Sequence, residues 1–213
     1  MATQSPTYIT KGLSVKTWPD FERLFSQGNG WDFCACMHFH RSRWAPESRR
    51  LDSRAERGVR NRHEKKALVE RGRSHGILVY ASSEPVGWCQ DGRREDFPRI
   101  DESLHYRGLA PNGRKTLWRI TCFVVDKRRR RHGVGAAALR AALDAIRSRG
   151  GGLVEAYPLS GWKAGTFGNV STHGTMSMFE KEGFKVVAPF RHTKFSTNVL
   201  MRRTVRPRPR RQP

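Results

Sequence analysis

The chain has no long apolar run. Nowhere do about 18 apolar residues follow one another, the length that a membrane-spanning helix requires, and the opening MATQSPTYITKGLSV holds no apolar core of signal-peptide length. The expectation is a cytoplasmic protein with no membrane contact. Cysteine is scarce, with four residues among 213, at Cys34, Cys36, Cys89 and Cys122. That is too few and too uneven for a disulfide framework, so reduced thiols are expected. Acidic side chains are scarce too: 19 Asp and Glu stand against 41 Lys and Arg, a formal charge of +22 with a pI near 11.2. Such a field attracts phosphate-bearing partners at low salt, although scattered arginines also follow from codon usage in a guanine- and cytosine-rich genome. Apolar residues make up 37% and the mean hydropathy is −0.70, enough for one core. Residues 1–204 are therefore expected to form a single domain. In residues 205–213 Pro alternates with Arg, which predicts a basic disordered tail.

Along the chain, DFERLFSQ (20–27) predicts a short amphipathic helix with Asp20 as N-cap. A charged, solvent-facing stretch from Glu47 runs to a helix end at Ala67, Leu68 and Gly72. Ile77 to Tyr80 and Val86 to Gln90 read as a hairpin across Ser-Ser-Glu-Pro. LWRITCFVVD is dense in β-branched and aromatic residues and predicts a central strand. GVGAAALRAALDAIRSRGG follows as a helix with Leu139, Leu143 and Ile146 on its buried side and a stop at Gly150 and Gly151. LVEAY is the next strand, which implies a parallel crossover. A loop through Thr172, a helix closed at Gly183 and a last strand TNVLMRRTV complete an α/β (α+β) pattern.

Between central strand and helix stands KRRRRHGVGAAAL (127–139). The first N–H groups of a helix have no partner within it, and the macrodipole makes that end partly positive. Glycines at 133 and 135 let a ligand approach the backbone, so Arg131 to Ala136 are placed to wrap a diphosphate. Cations at this end oppose the dipole unless an anion is present, which points to an anion. A P-loop is excluded because neither Lys-Ser nor Lys-Thr follows Gly135. The dinucleotide pattern wants a third glycine where Ala138 stands, and belongs near the first strand.

Arg130-x-x-Gly133-x-Gly135 after a strand ending Phe123-Val124-Val125, with MFEKEGF on a later helix, resembles the GNAT superfamily of acyl-CoA-dependent N-acyltransferases, whose central motif is Gln/Arg-x-x-Gly-x-Gly/Ala. The resemblance is best over residues 77–205. WRITCFVV, GGLVEAYP and GTMSMFEKEGF resemble, more narrowly, a bacterial group within it. It implies a mixed central sheet splayed between its fourth and fifth strands and flanked by helices, with acetyl-CoA as co-substrate, an amine as acceptor and a homodimer as a possible assembly. By that resemblance Val124 and Val125 offer backbone groups to pantetheine, Arg130, Arg131, His132, Gly133, Val134, Gly135 and Ala136 hold the pyrophosphate, and Phe179 lies against the cofactor where many members carry the Tyr that reprotonates the thiolate.

Phe179 cannot donate a proton, and Thr172 and Thr175 replace the Asn and Ala that often precede it. Tyr157, at the end of LVEAY, is the expected acid in its place, against the plainer reading of a half-buried strand aromatic. Arg119 occupies the position where some members carry a Glu base, which leaves Glu155 and Glu84 as the nearest carboxylates beside a water relay. CACMHFH places Cys34, Cys36, His38 and His40 in alternation, but strand spacing is too stretched for one zinc. No metal is expected; the stretch reads as a buried segment walling the acceptor site, with His38 or His40 against substrate. Trp162, Phe167 and Asn169 in the long joint from Tyr157 to Thr172 are expected to shape that pocket. The alternative function is a nucleic-acid-associated protein, or an enzyme of this superfamily acting on aminoacyl-tRNA. Its support is Arg41 to Arg73 and the basic tail, without a base-reading motif.

Overall fold

The computed structural model describes residues 7–111, 116–159, 172–190 and 198–209. Its strands are β1 (Ile9–Gly12), β2 (Ile77–Ala81), β3 (Glu84–Arg93), β4 (Leu117–Val125), β5 (Gly152–Ala156), β6 (Lys185–Phe190) and β7 (Asn198–Val205). They form one sheet in the order β1-β2-β3-β4-β5-β7-β6. β4 and β5 run parallel, and the other neighbouring pairs are antiparallel. The helices are α1 (Trp18–Ser26), α2 (Arg54–Glu70), α3 (Pro98–Asp101), α4 (Val134–Ser148) and α5 (Met176–Lys181). The result is the single mixed α/β domain expected of the sequence, and among the described residues no helix is long and apolar enough to cross a membrane.

α4 makes the crossover from β4 to β5. Its apolar residues fall at helical spacing, so Val134, Ala138, Leu139, Ala142, Leu143 and Ile146 are buried on one stripe. The stripe packs on the sheet against Val79, Val86, Ile120, Phe123 and Val154. Each large aliphatic side chain buried there contributes on the order of 1.5–3 kcal/mol. The helix ends where Gly150 and Gly151 take positive φ, and the Gly151 N–H closes back on the Ile146 carbonyl at 2.9 Å. On the opposite face α1 buries Trp18, Phe21, Leu24 and Phe25 against Leu78 and Trp88. A third cluster joins Phe39, Phe97, Ile100, Tyr106, Tyr157, Phe190 and Leu200.

The structure corrects several expectations. α1 begins two residues early, with Thr17 in the N-cap position; Asp20 sits in its first turn, pairs with Arg23 and accepts the Tyr80 hydroxyl at 2.8 Å. The charged stretch is not merely solvent-facing. From Arg54 it is one 17-residue helix, started by a reciprocal Ser53–Glu56 capping box, and it buries Gly58, Asn61, Lys65 and Val69. CACMHFH is neither strand nor helix, because Ala35 and Cys36 have φ of 44° and 52°. β1 and β6 have no counterpart in the sequence reading. Val205, the last residue of the expected strand TNVLMRRTV and also the first of the expected tail, ends β7 opposite Gly152, and residues 206–209 carry no regular structure.

Candidate active site

The junction before α4 is built by the run that the sequence singles out. Asp126 follows β4 and caps the turn Lys127–Arg129, accepting from the Arg128 N–H at 2.8 Å. Its carboxyl is held below the ordinary range by the Arg128 hydrogen bond, with partial burial opposing. Arg131 and Gly133 then take positive φ of 64° and 81°. That turns the chain into α4 with Gly133 as an N-cap that has no side chain to offer the helix. The first return bond is Ala137 N–H to Gly133 carbonyl at 3.0 Å, so the N–H groups of Val134, Gly135 and Ala136 point out of the helix without an intrahelical partner. A Cβ on Gly133 would meet nothing within 4 Å. Arg130 lies alongside, and its Nε is buried without a hydrogen-bond partner. Tyr8 fixes the turn from the β1 side by donating to the His132 carbonyl at 2.8 Å.

Beside this turn the sheet opens. β4 and β5 pair only from Leu117–Leu153 to Ile120–Ala156, although β4 continues to Val125. The chain after β5 turns to β7 instead, where the Val199 N–H donates to the Pro158 carbonyl at 3.0 Å. The Asp126 N–H donates to the Val86 carbonyl on β3, which fixes the alternation of the strand. Cys122 and Val124 therefore turn their backbone groups to β3, while Phe123 and Val125 turn theirs to the opening. Of the expected pair Val124 and Val125, only Val125 presents backbone to the slot. Phe123 does so too, a position that the sequence reading passed over, and its N–H donates to the Thr172 carbonyl at 2.6 Å.

The expected catalytic residues are bound to one another. Glu155 is fully buried. Its Oε2 accepts from Tyr106 at 2.7 Å and Tyr157 at 2.8 Å, and its Oε1 from both Nε and Nη2 of Arg202 at 3.0 and 2.7 Å. Arg119 Nε lies 3.5 Å away, while its terminal nitrogens grip both oxygens of Asp101 at 2.9 Å. A carboxylate with its lone pairs so engaged is a counter-ion and not a base, which corrects the reading of Glu155. Tyr157 is buried as well. Burial and the neighbouring Glu155 charge hold its hydroxyl well above the ordinary range, although Arg119 pulls it down, so it is a poor proton source for a thiolate in the slot. Phe179 faces the core between Phe123 and Phe184, ring centroids 5.9 and 5.1 Å away, and not a ligand. Glu84 is exposed in the hairpin. Trp162, Phe167 and Asn169 lie outside the described residues.

CACMHFH wraps over β3 and β4. Phe39 packs near His173, centroids 6.1 Å apart, so the segment borders the slot, and His38 is exposed there. His40 points inward. Its Nε2 lies 2.8 Å from Gln90 Nε2 and 3.1 Å from Lys65 Nζ, and its Nδ1 2.7 Å from the Asp96 carbonyl. An amide NH₂ and an ammonium only donate, so Nε2 is the acceptor and Nδ1 carries the proton. Burial, with the Lys65 charge, keeps the ring neutral. Among the described residues no group of three or more His, Cys, Asp or Glu is placed to hold a metal. A cavity of about 670 Å³, lined by Arg73, His75, Arg93, Trp118 and Arg149, lies at the opposite end of β4 from the slot.

Residues 20–158 match the sequence family described as the acetyltransferase (GNAT) family. No curated protein matches the chain at a significant level. Among solved structures, the histone acetyltransferase HPA2 and related acetyltransferase from Corynebacterium glutamicum superposes with a TM-score of 0.54 at 14% identity, covering 97% of this chain and 98% of that one. Arabidopsis thaliana NAA60 in complex with acetyl-CoA gives 0.51 at 14% identity, covering 93% and 100%. At such identities the likeness shows a shared fold. With the family match spanning well over half its length, the chain belongs to the acetyltransferase (GNAT) family.

Proposed function

We propose that the protein is an acetyl-CoA-dependent N-acetyltransferase that holds the coenzyme diphosphate at the start of α4 and the pantetheine arm along the β4–β5 opening, and acetylates an amine acceptor. The observation that carries this is the junction itself: partnerless N–H groups at 134–136, an orphaned buried Nε on Arg130 and a Gly133 with open space before it. These suit a diphosphate. A structural neighbour, NAA60, is itself a complex with acetyl-CoA. Bound there, the coenzyme supplies a thioester carbonyl for the amine to attack. Arg130, Arg131, His132 and the α4 amides bind and orient; the backbone of Phe123 and Val125 lines the slot. Glu155 and Tyr157 are committed to each other, so among the described residues no side-chain base is assigned, and the acceptor reacts through its own neutral fraction.

The charge of +22 supports an acceptor carried on a polyanion, such as aminoacyl-tRNA, with residues 205–213 adding sequence-independent phosphate contacts. A cytoplasmic setting agrees with four free cysteines. A homodimer is supported by β6 at the sheet edge, where Val186 and Val187 are exposed; sedimentation tests it.

Calorimetry with acetyl-CoA is expected to give micromolar affinity, abolished by Gly135→Glu, which puts a carboxylate among the anion-binding amides. A thiol-release screen over amines, peptides and aminoacylated tRNA then identifies the acceptor. Absence of acetyl-CoA binding, together with RNA binding that weakens steeply with salt, would replace this reading with that of a nucleic-acid-binding protein.

A further inference from the structure

Beneath the slot, on the α1–α2 side of the sheet, lies a cluster that the acyl-transfer reading does not use. Cys36 Sγ and Cys122 Sγ are 2.9 Å apart, 86 positions distant in sequence. Trp88 Nε1 donates to Cys36 Sγ at 3.3 Å. Cys34 stands nearby, half-buried, and Lys65 is fully buried. Among the described residues no carboxylate lies within ion-pair distance of Lys65, although a buried ammonium needs a negative partner. Its Nζ donates to the neutral His40 at 3.1 Å, and the negative charge that acts on it comes chiefly from the sulfurs of Cys36, Cys122 and Cys34.

While both thiols are protonated the Cys36 S–H is directed at Cys122 Sγ, and Cys36 accepts from Trp88 Nε1; once Cys36 loses its proton, Cys122 is the donor in the sulfur pair. Burial alone would push the Cys36 thiol up. The hydrogen bond from Cys122, the Lys65 charge and the Trp88 N–H outweigh burial and hold it below its ordinary value. Cys122, for the same hydrogen bond and by burial, stays protonated. Burial lowers Lys65 to about 8, with the sulfurs opposing. The backbone also aims Cys36 at this spot: Ala35 and Cys36 are successive residues at positive φ, a conformation that side-chain-bearing residues hold only where surrounding contacts enforce it.

We propose that Cys36 and Cys122 are an oxidisable dithiol, closed to a disulfide by a peroxide-class oxidant, which fastens the α1–α2 connection to β4 beside the acetyl-transfer slot. The Cys36 thiolate attacks one peroxide oxygen, the O–O bond breaks, and hydroxide leaves, giving a sulfenic acid. The Cys122 sulfur then attacks the Cys36 sulfur, the S–O bond breaks, and the Cys122 proton departs with the oxygen as water. Each sulfur gives up one electron and each peroxide oxygen takes one up. The sulfurs need to approach by only about 0.9 Å to reach bonding distance. Cys122 is the partly exposed member, and its neighbour Phe123 turns its backbone into the slot, so closing the bond ties acceptor-side wall to coenzyme-side strand.

The test uses the full chain and needs no variant. Reduced protein, freed of reductant, is treated with a small molar excess of hydrogen peroxide, alkylated, digested without reduction and mapped by mass spectrometry. A Cys36–Cys122 cross-linked peptide that disappears with dithiothreitol is the expected result, with Cys89, buried against the α4 face, alkylated only after denaturation. Cys36 and Cys122 both recovered as alkylated thiols, or a cross-link through Cys34 in place of Cys36, overturns the proposal. Two variants check the order of events. Cys122→Ser is expected to accumulate a dimedone-reactive sulfenic acid at Cys36. Lys65→Met, with folding verified by circular dichroism, is expected to slow Cys36 oxidation at neutral pH by about threefold to tenfold; an unchanged rate removes the ammonium from the scheme.

Discussion

Val134, the first residue of α4, rests directly on Gly87 of β3, so closely that a methyl at position 87 would overlap its Cγ1. Gly87 pairs with Val125, the last residue of β4. One glycine therefore sets the height at which the end of α4 proposed to bind the coenzyme sits above the strand that borders the slot.

Gly87→Ala is expected to lift that end of the helix, costing about 1–3 kcal/mol of stability by overpacking and weakening acetyl-CoA binding. Calorimetry and thermal melting check it together. Unchanged affinity with lowered stability would separate helix height from coenzyme binding.

Tyr157 and Glu155 are expected to matter for folding more than for turnover. Tyr157→Phe removes one O–H donor from a buried carboxylate and should cost about 1–3 kcal/mol while leaving kcat within about tenfold. Glu155→Gln strips the counter-ion from Arg119 and Arg202 and should cost about 3–5 kcal/mol. A kcat collapse in Tyr157→Phe at unchanged stability would restore it as the general acid.

His40 gives the fold a pH dependence. Buried and neutral, it protonates in the folded chain well below 6.5, its ordinary value, so the unfolded chain takes up a proton first as pH falls. Its contribution to stability is fully present above pH 6.5 and is lost progressively below it, by at most about 1.4 kcal/mol per pH unit. Thermal midpoints from pH 7 to 5 measure this. His40→Gln should flatten the difference, and a parallel decline in both proteins would assign it elsewhere.

With no base assigned, the rising limb of kcat/KM against pH should track the acceptor amine. Exchanging the acceptor for one of lower amine pKa should move the limb by the same amount. A limb that stays in place would reveal an enzyme group.

The central strand, α4 and its glycine turn were legible because their signals are local: β-branched density, helical spacing of apolar residues, and Gly133 where φ must be positive. α2 was only partly legible. Its buried stripe of Gly58, Asn61, Lys65 and Val69 is small, polar or charged, and periodicity reads only hydrophobicity. β6 was missed because an edge strand exposed along most of its length carries little alternation.

Composition and short-range spacing thus determined where the turn proposed to hold the diphosphate stands and that a parallel crossover surrounds it, since helix caps and strand runs depend on neighbours a few residues away. Which charged groups are spent on one another is a matter of the fold. Glu155 meets Tyr106 and Arg202, Cys36 meets Cys122, and Phe123 meets Thr172 across separations of 47 to 86 residues. A side chain's protonation and availability follow from burial and partners, which exist only once distant strands have been brought together.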